Sequence, residues 1–184
     1  METTKKISSL DQIQESRQGE NKMFKFLFAG LMLLSALFTT ILVNAQGTST
    51  KVLNNVDANG VILDGYDPVA FFTDNKPVKG DASFQYKYEE ATYYFVSKEH
   101  LALFTENPEK YKPQFGAWCA YAVSLGRTAP IDVNTFSIVN GRLVVQHNER
   151  AVKGWSKDVQ GNLLLADKYW PKVVENNGKQ IKTD

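Results

Sequence analysis

The chain has 184 residues, with 21 Lys+Arg against 20 Asp+Glu and a formal charge of +1. That balance excludes the strong basic field of a nucleic-acid binder or of a protein held on anionic lipid. A single cysteine, Cys119, excludes an internal disulfide, and Met1, Met23 and Met32 all lie near the N-terminus, which argues against a methionine-rich copper carrier.

Residues 1–45 read as a signal peptide with a polar N-terminal extension. Lys22 and Lys25 precede the uncharged run FLFAGLMLLSALFTTILV, and VNAQ follows with a small residue at the cleavage position. The expected cut falls after Ala45, and Met23 is an alternative start. The competing reading is an uncleaved anchor over residues 26–43, since a span needs about 20 apolar residues. The expected location is therefore outside the cytoplasm, in the periplasm, with the membrane touched only through this segment.

Residues 46–60 are polar and read as a flexible lead-in. LDGYDPVAFF follows, with a turn at Asp64-Gly65 and an apolar run predicting a strand over about 69–73. SFQYKYEEATYYFV alternates on both sides of Glu89-Glu90 and predicts a hairpin, with Phe84, Tyr86 and Tyr88, then Thr92, Tyr94 and Val96, as the alternating sets. Ser97 is placed to cap a helix over 97–106 that Asn107-Pro108 stops. AWCAYAVSLG predicts a buried helix over 117–125, apolar on nearly every side. Asn140-Gly141, between two β-rich runs, is the signature of a two-residue type I′ hairpin. Residues 148–174 read as helix anchored by Trp155, Leu165, Trp170 and Val174. No sequence repeat is visible. The expectation is an α+β fold, two β-hairpins and several short helices around one core over residues 61–174, then a polar tail over 175–184.

Few residues in this domain carry chemistry. Cys119 with His100 could form a nucleophile and base, with Asp67 or Glu99 orienting the histidine. No G-x-S-x-G, H-E-x-x-H, P-loop or C-x-x-C accompanies them, which weighs against an enzyme. One thiolate and two imidazoles, Cys119, His100 and His147, suit zinc or copper in kind, but they lie far apart in sequence. The plainer reading makes Cys119 core and leaves both histidines facing solvent. Tyr66 and Asp67 either fix a turn or line the mouth of a pocket. The tyrosines around the first hairpin lack the basic stripe of a base-stacking platform.

YYFVSKEHLALFTENPEKYKPQFGAWCAYAV resembles a YHS domain, with Tyr94, Ser97 and His100 at the positions of its name. The longer series LDGYDPVAFF, GAWCAYAVSLGR, FSIVNGRL, GWSKD and ADKYWPKV resembles the exported single-domain YHS proteins of bacteria. The resemblance implies kinship with TRASH-type metal-binding modules, in which cysteines stand where this chain has Ala70 and Val96. It leaves His100, joined by Cys119, as the metal ligands to expect for copper or zinc. The function it implies is transition-metal binding or handling. The alternatives are a metal-free domain for a small molecule or partner, with Tyr66 and Asp67 at its pocket and Cys119 in the core, and, third, a thiol enzyme.

Overall fold

A computed structural model describes residues 51–183. The signal segment and its alternative anchor lie outside the described residues, among which no helix is long and apolar enough to cross a membrane. The chain makes a short helix α1 (Ala70–Thr73), a hairpin of β1 (Asp81–Tyr88) and β2 (Ala91–Phe95), then α2 (Lys98–Glu106) and α3 (Pro108–Tyr111). It continues through α4 (Ala120–Ser124), a second hairpin of β3 (Asp132–Val139) and β4 (Arg142–Gln146), and the helices α5 (Glu149–Trp155) and α6 (Val159–Glu175). The fold is α+β, as expected, with two separate two-stranded antiparallel sheets.

The first hairpin forms where predicted, but one strand presents the opposite face. A two-residue turn pairs Tyr88 with Ala91 and Tyr86 with Tyr93. Directly opposed residues share a face, so even positions in β1 meet odd positions in β2. Ala91, Tyr93 and Phe95 are accordingly buried, not Thr92, Tyr94 and Val96. The second hairpin turns through Asn140 and Gly141 with φ of 52° and 75°, the left-handed pair a type I′ turn demands.

The strand expected over 69–73 is a helical turn instead. Asp67 accepts from the backbone N–H of Val69 (2.7 Å) and Ala70 (3.4 Å), capping α1. The helix expected over 117–125 is shorter, because Phe115, Gly116 and Ala117 all adopt positive φ. Gly116 is obligatory there, since a Cβ would lie 2.2 Å from the carbonyl oxygen of Leu53. Cys119 therefore sits at the N-cap of α4 rather than inside it. The C-terminal helix is broken at Ser156–Asp158, and Asp158 caps its second part through Gly161 N–H. Trp155 and Val174 are buried and Trp170 half-buried; Leu165 is 39% exposed, while Leu163, Ala166 and Tyr169 supply the inward face.

The stretch read as a loose lead-in makes defined contacts where it is described. Leu53 O accepts from Trp118 Nε1, and Asn55 bonds the carbonyls of Gly116 and Ala117. Likewise the polar tail is pinned: Thr128 N–H donates to Gly178 O and Ile181 N–H to Gly126 O.

The core has two clusters. Phe95, Phe104, Phe71 and Leu63 centre the first; Phe115, Val123, Trp155 and Leu163 the second. Strand β4 lies between them, sending Leu143 and Val145 to the first and Val144 to the second. A strand buried on both faces reads as a continuous apolar run rather than an alternation.

The structure also repeats itself where the sequence shows no repeat. Asp81 and Asp132, Tyr88 and Val139, Ala91 and Arg142, Phe95 and Gln146, and Lys98 and Glu149 are each 51 positions apart, so one ββα plan occurs twice with every strand boundary matched. Both units open on an aspartate whose Oδ1 accepts from the backbone two residues on. Both helices are capped by a polar side chain, Ser97 and Asn148. Both put one large ring in their cluster, Phe104 and Trp155. Few side chains agree between the units, which is why the pattern is invisible in one dimension.

Candidate functional site

The first unit builds its site around Asp67. The preceding turn runs Leu63–Gly65 in left-handed backbone and delivers Asp67 into the core, where it is 0% exposed. Oδ1 takes the Val69 and Ala70 amides at the start of α1; Oδ2 accepts from Val96 N–H at 2.9 Å and from His100 Nδ1 at 2.7 Å. Every strong acceptor position of this carboxylate is used, as a buried charge requires. A carboxylate buried so completely cannot line a pocket mouth, so the expectation for Asp67 gives way to an orienting role. Tyr66 is half-buried on the first cluster, with Lys79 Nζ 4.9 Å from its ring centre.

His100 arrives from the other side. Ser97 accepts from His100 N–H and starts α2, placing the imidazole one turn in. Of the two orienting carboxylates considered, Asp67 is the partner; the Ser97 hydroxyl instead holds the Glu99 carboxyl below its usual range. With Asp67 accepting, Nδ1 carries the proton, and in the neutral ring the lone pair is at Nε2. No partner for Nε2 occurs among the described residues, and the side chain is 16% exposed. Tyr94 completes the name motif structurally: its ring edge lies against Gly65, and its backbone and Cβ cover Gly80 so closely that a Cβ there would sit 2.6 Å from the Tyr94 carbonyl carbon.

Cys119 belongs to the second unit. It is 1% exposed, with Sγ 3.5 Å from Gln146 Oε1. Burial pushes its thiol up from the ordinary value, against a smaller downward pull from the backbone amides of Ala122, His147 and Tyr121. The thiol-enzyme reading needs an accessible, acidified sulfur, and the structure supplies neither. Gln146 is oriented by Tyr121 N–H, which its Oε1 accepts at 2.9 Å, and this leaves Nε2 buried without a partner. His100 and Cys119 thus answer to different neighbours, Asp67 and Gln146. Among the described residues no group of three or more His, Cys, Asp and Glu is placed to hold a metal ion. Ala70 is buried in α1, and Val96 serves Asp67 through its amide.

Beside Cys119 lies a cavity of about 630 Å³, bordered by His147, Arg127, Arg150, Lys153 and Lys157. His147 Nδ1 donates to Pro130 O at 3.0 Å. The balanced overall charge conceals these cations in the sequence; Arg150 and Lys153, three apart, share one face of α5, and Lys157 follows in the break after it.

The family model described as YHS domain matches residues 69–115. The match covers the first unit from α1 to the turn before α4, and so contains Tyr94, Ser97 and His100. Asp67 stands two residues before it, and Cys119 and the second ββα unit follow it. No curated protein and no solved structure matches the chain.

Proposed function

Residues 69–115 of the chain match the YHS domain, and we propose from that premise that it handles a transition metal, copper or zinc, at Nε2 of His100. The observation that carries the reading is the 2.7 Å contact between Asp67 Oδ2 and His100 Nδ1. Metal-binding histidines characteristically donate their second ring N–H to a carboxylate, which fixes the tautomer and raises the basicity of the free nitrogen. The donor set fits an open site with one protein ligand and not a closed cage. Such a site suits an ion that arrives with ligands of its own, or that is shared with a second copy, and it suits transfer better than storage. Its chemistry in this chain is confined to orientation: Asp67 holds the ring, and Ser97 and Tyr94 hold the elements that carry it. Cys119 is expected to stay outside the coordination sphere, since its sulfur faces Gln146 and burial disfavours the thiolate. Export to the periplasm belongs to the same reading, and the basic, apolar and small-residue pattern of residues 22–46 supports it.

Titration of the full chain with Cu(I), Cu(II) and Zn(II) tests this, with metal content read by elemental analysis. The expected result is binding that His100→Ala abolishes and Cys119→Ser preserves. No binding by the wild type, or binding indifferent to His100→Ala, overturns it. Loss in Cys119→Ser with the fold intact would restore the thiol as a ligand and overturn the one-donor description.

A further inference from the structure

The second unit suggests a different ligand. Its cavity is lined by Arg127, Arg150, Lys153 and Lys157, and no Asp or Glu is among the lining residues. None of the four has an ion pair or side-chain hydrogen bond among the described residues. Elsewhere the basic groups with a structural role are matched: Arg142 sits on Asp167 and Lys112 on Glu89 and Glu109. Four like charges around one concavity repel, in a chain whose formal charge is only +1. The positive field is therefore a local arrangement and not a consequence of composition.

The repeated plan explains why there is room. Counting 51 positions along, Asp67 and His100 of the first unit fall at Trp118 and Ala151 of the second, and Val96 falls at His147. A carboxylate and an imidazole fill the place in the first unit. In the second, Ala151 leaves it open, and it lies on the cavity wall. The wall also carries His147, whose Nδ1–H is donated to Pro130 O.

We propose that this cleft binds a small molecule bearing a phosphoryl group. Tetrahedral dianions offer several acceptor oxygens to converging Arg and Lys donors at once, and the guanidinium fork matches them in geometry. A volume of about 630 Å³ exceeds what a bare phosphate fills and falls in the range of small-molecule sites. The proposal does not rest on the metal reading, which concerns the other unit.

Isothermal titration of the full chain with inorganic pyrophosphate, in the presence of a chelator, is the test. Saturable one-to-one binding is expected, weakening as salt is added. The double variant Arg127→Gln, Arg150→Gln should weaken it by at least about tenfold, through loss of charge-assisted hydrogen bonds. Its thermal midpoint should hold or rise as repulsion is relieved. Lys87→Gln, on exposed β1, should leave binding unchanged. Absence of saturable binding overturns the proposal, as does equal weakening by Lys87→Gln, or binding of a long polyanion such as heparin with none of pyrophosphate. Equal affinity for inorganic sulfate would overturn the phosphoryl assignment.

Discussion

The two ββα units set one backbone plan around opposite electrostatics. In the first, Asp67 is sealed in the core with four hydrogen bonds and holds His100 by its carboxylate. In the second, no carboxylate lines the corresponding place, a backbone carbonyl holds His147, and unpaired cations surround the opening. On the proposed readings, the histidine backed by a buried anion takes a cation at its second ring nitrogen, and the cleft lined by guanidinium and ammonium groups takes an anion. The difference comes from few side chains, because the hairpins, caps and core rings that place them are equivalent. Architecture fixes where a site can be, and a handful of residues decide its sign.

The strongest way to break the comparison is at Asp67. Asp67→Ala removes the anion and leaves buried amides and the imidazole without their acceptor. It should cost a few kcal/mol in denaturant unfolding, at about 1–3 kcal/mol for a buried donor left unsatisfied. No single residue of the cationic cleft should approach that, because the cleft is a surface assembly.

Two glycines sharpen the contrast. Gly80→Ala drives a Cβ into the backbone of Tyr94, which cannot yield, and about 1–3 kcal/mol of destabilisation is expected. Gly154→Ala meets the Tyr121 ring, with Cε1 2.4 Å away. A side chain can turn aside, so the expected stability loss is smaller, while the cleft that Tyr121 and Gly154 both line changes shape. Melting curves and pyrophosphate affinity, measured on both variants, separate the two responses.

The caps should behave alike. Ser97 accepts from His100 N–H and Asn148 from Ala151 N–H. Replacing either by alanine should cost about 1 kcal/mol, typical of an N-cap. A markedly unequal loss by chemical denaturation would show that the units are equivalent in outline only.

The smallest effect lies outside both sites. Lys112 and the Tyr88 hydroxyl hold the Glu109 carboxyl below its usual 4.5. A carboxyl lowered by folding contributes stability above its unfolded pKa and loses it as pH falls through the folded value. Lys112→Gln should therefore cost less than about 1 kcal/mol at neutral pH, as for exposed pairs. That deficit should fade as pH falls below the ordinary 4.5 and through the lower folded value, when unfolding is followed across pH.

Local chemistry made part of this molecule legible in sequence. Asn140-Gly141 specifies left-handed backbone at two successive residues, Ser97 specifies a cap, and Asn107-Pro108 specifies a stop; each acts within a few residues and each is found as expected. His100 could be singled out through its motif, and Asp67 could be named as one of two orienting carboxylates, but only packing chose between Asp67 and Glu99. Errors arose where a distant partner or the parity of a turn decided. The strand expected at 69–73 became helix because Asp67 caps it. The helix at 117–125 lost its first turn because Gly116 must pass under Leu53 O.

What the sequence determined by itself was the α+β class, both hairpin turns, the helix that carries His100 and the YHS match over residues 69–115. Those follow from short-range backbone preferences and from side-chain order along the chain. Tertiary structure alone decided that His100 and Cys119 belong to different units, that the ββα plan occurs twice, and that four scattered cations share one cavity. Such facts depend on which surfaces the hairpins bury against each other, and burial is settled by the whole core at once.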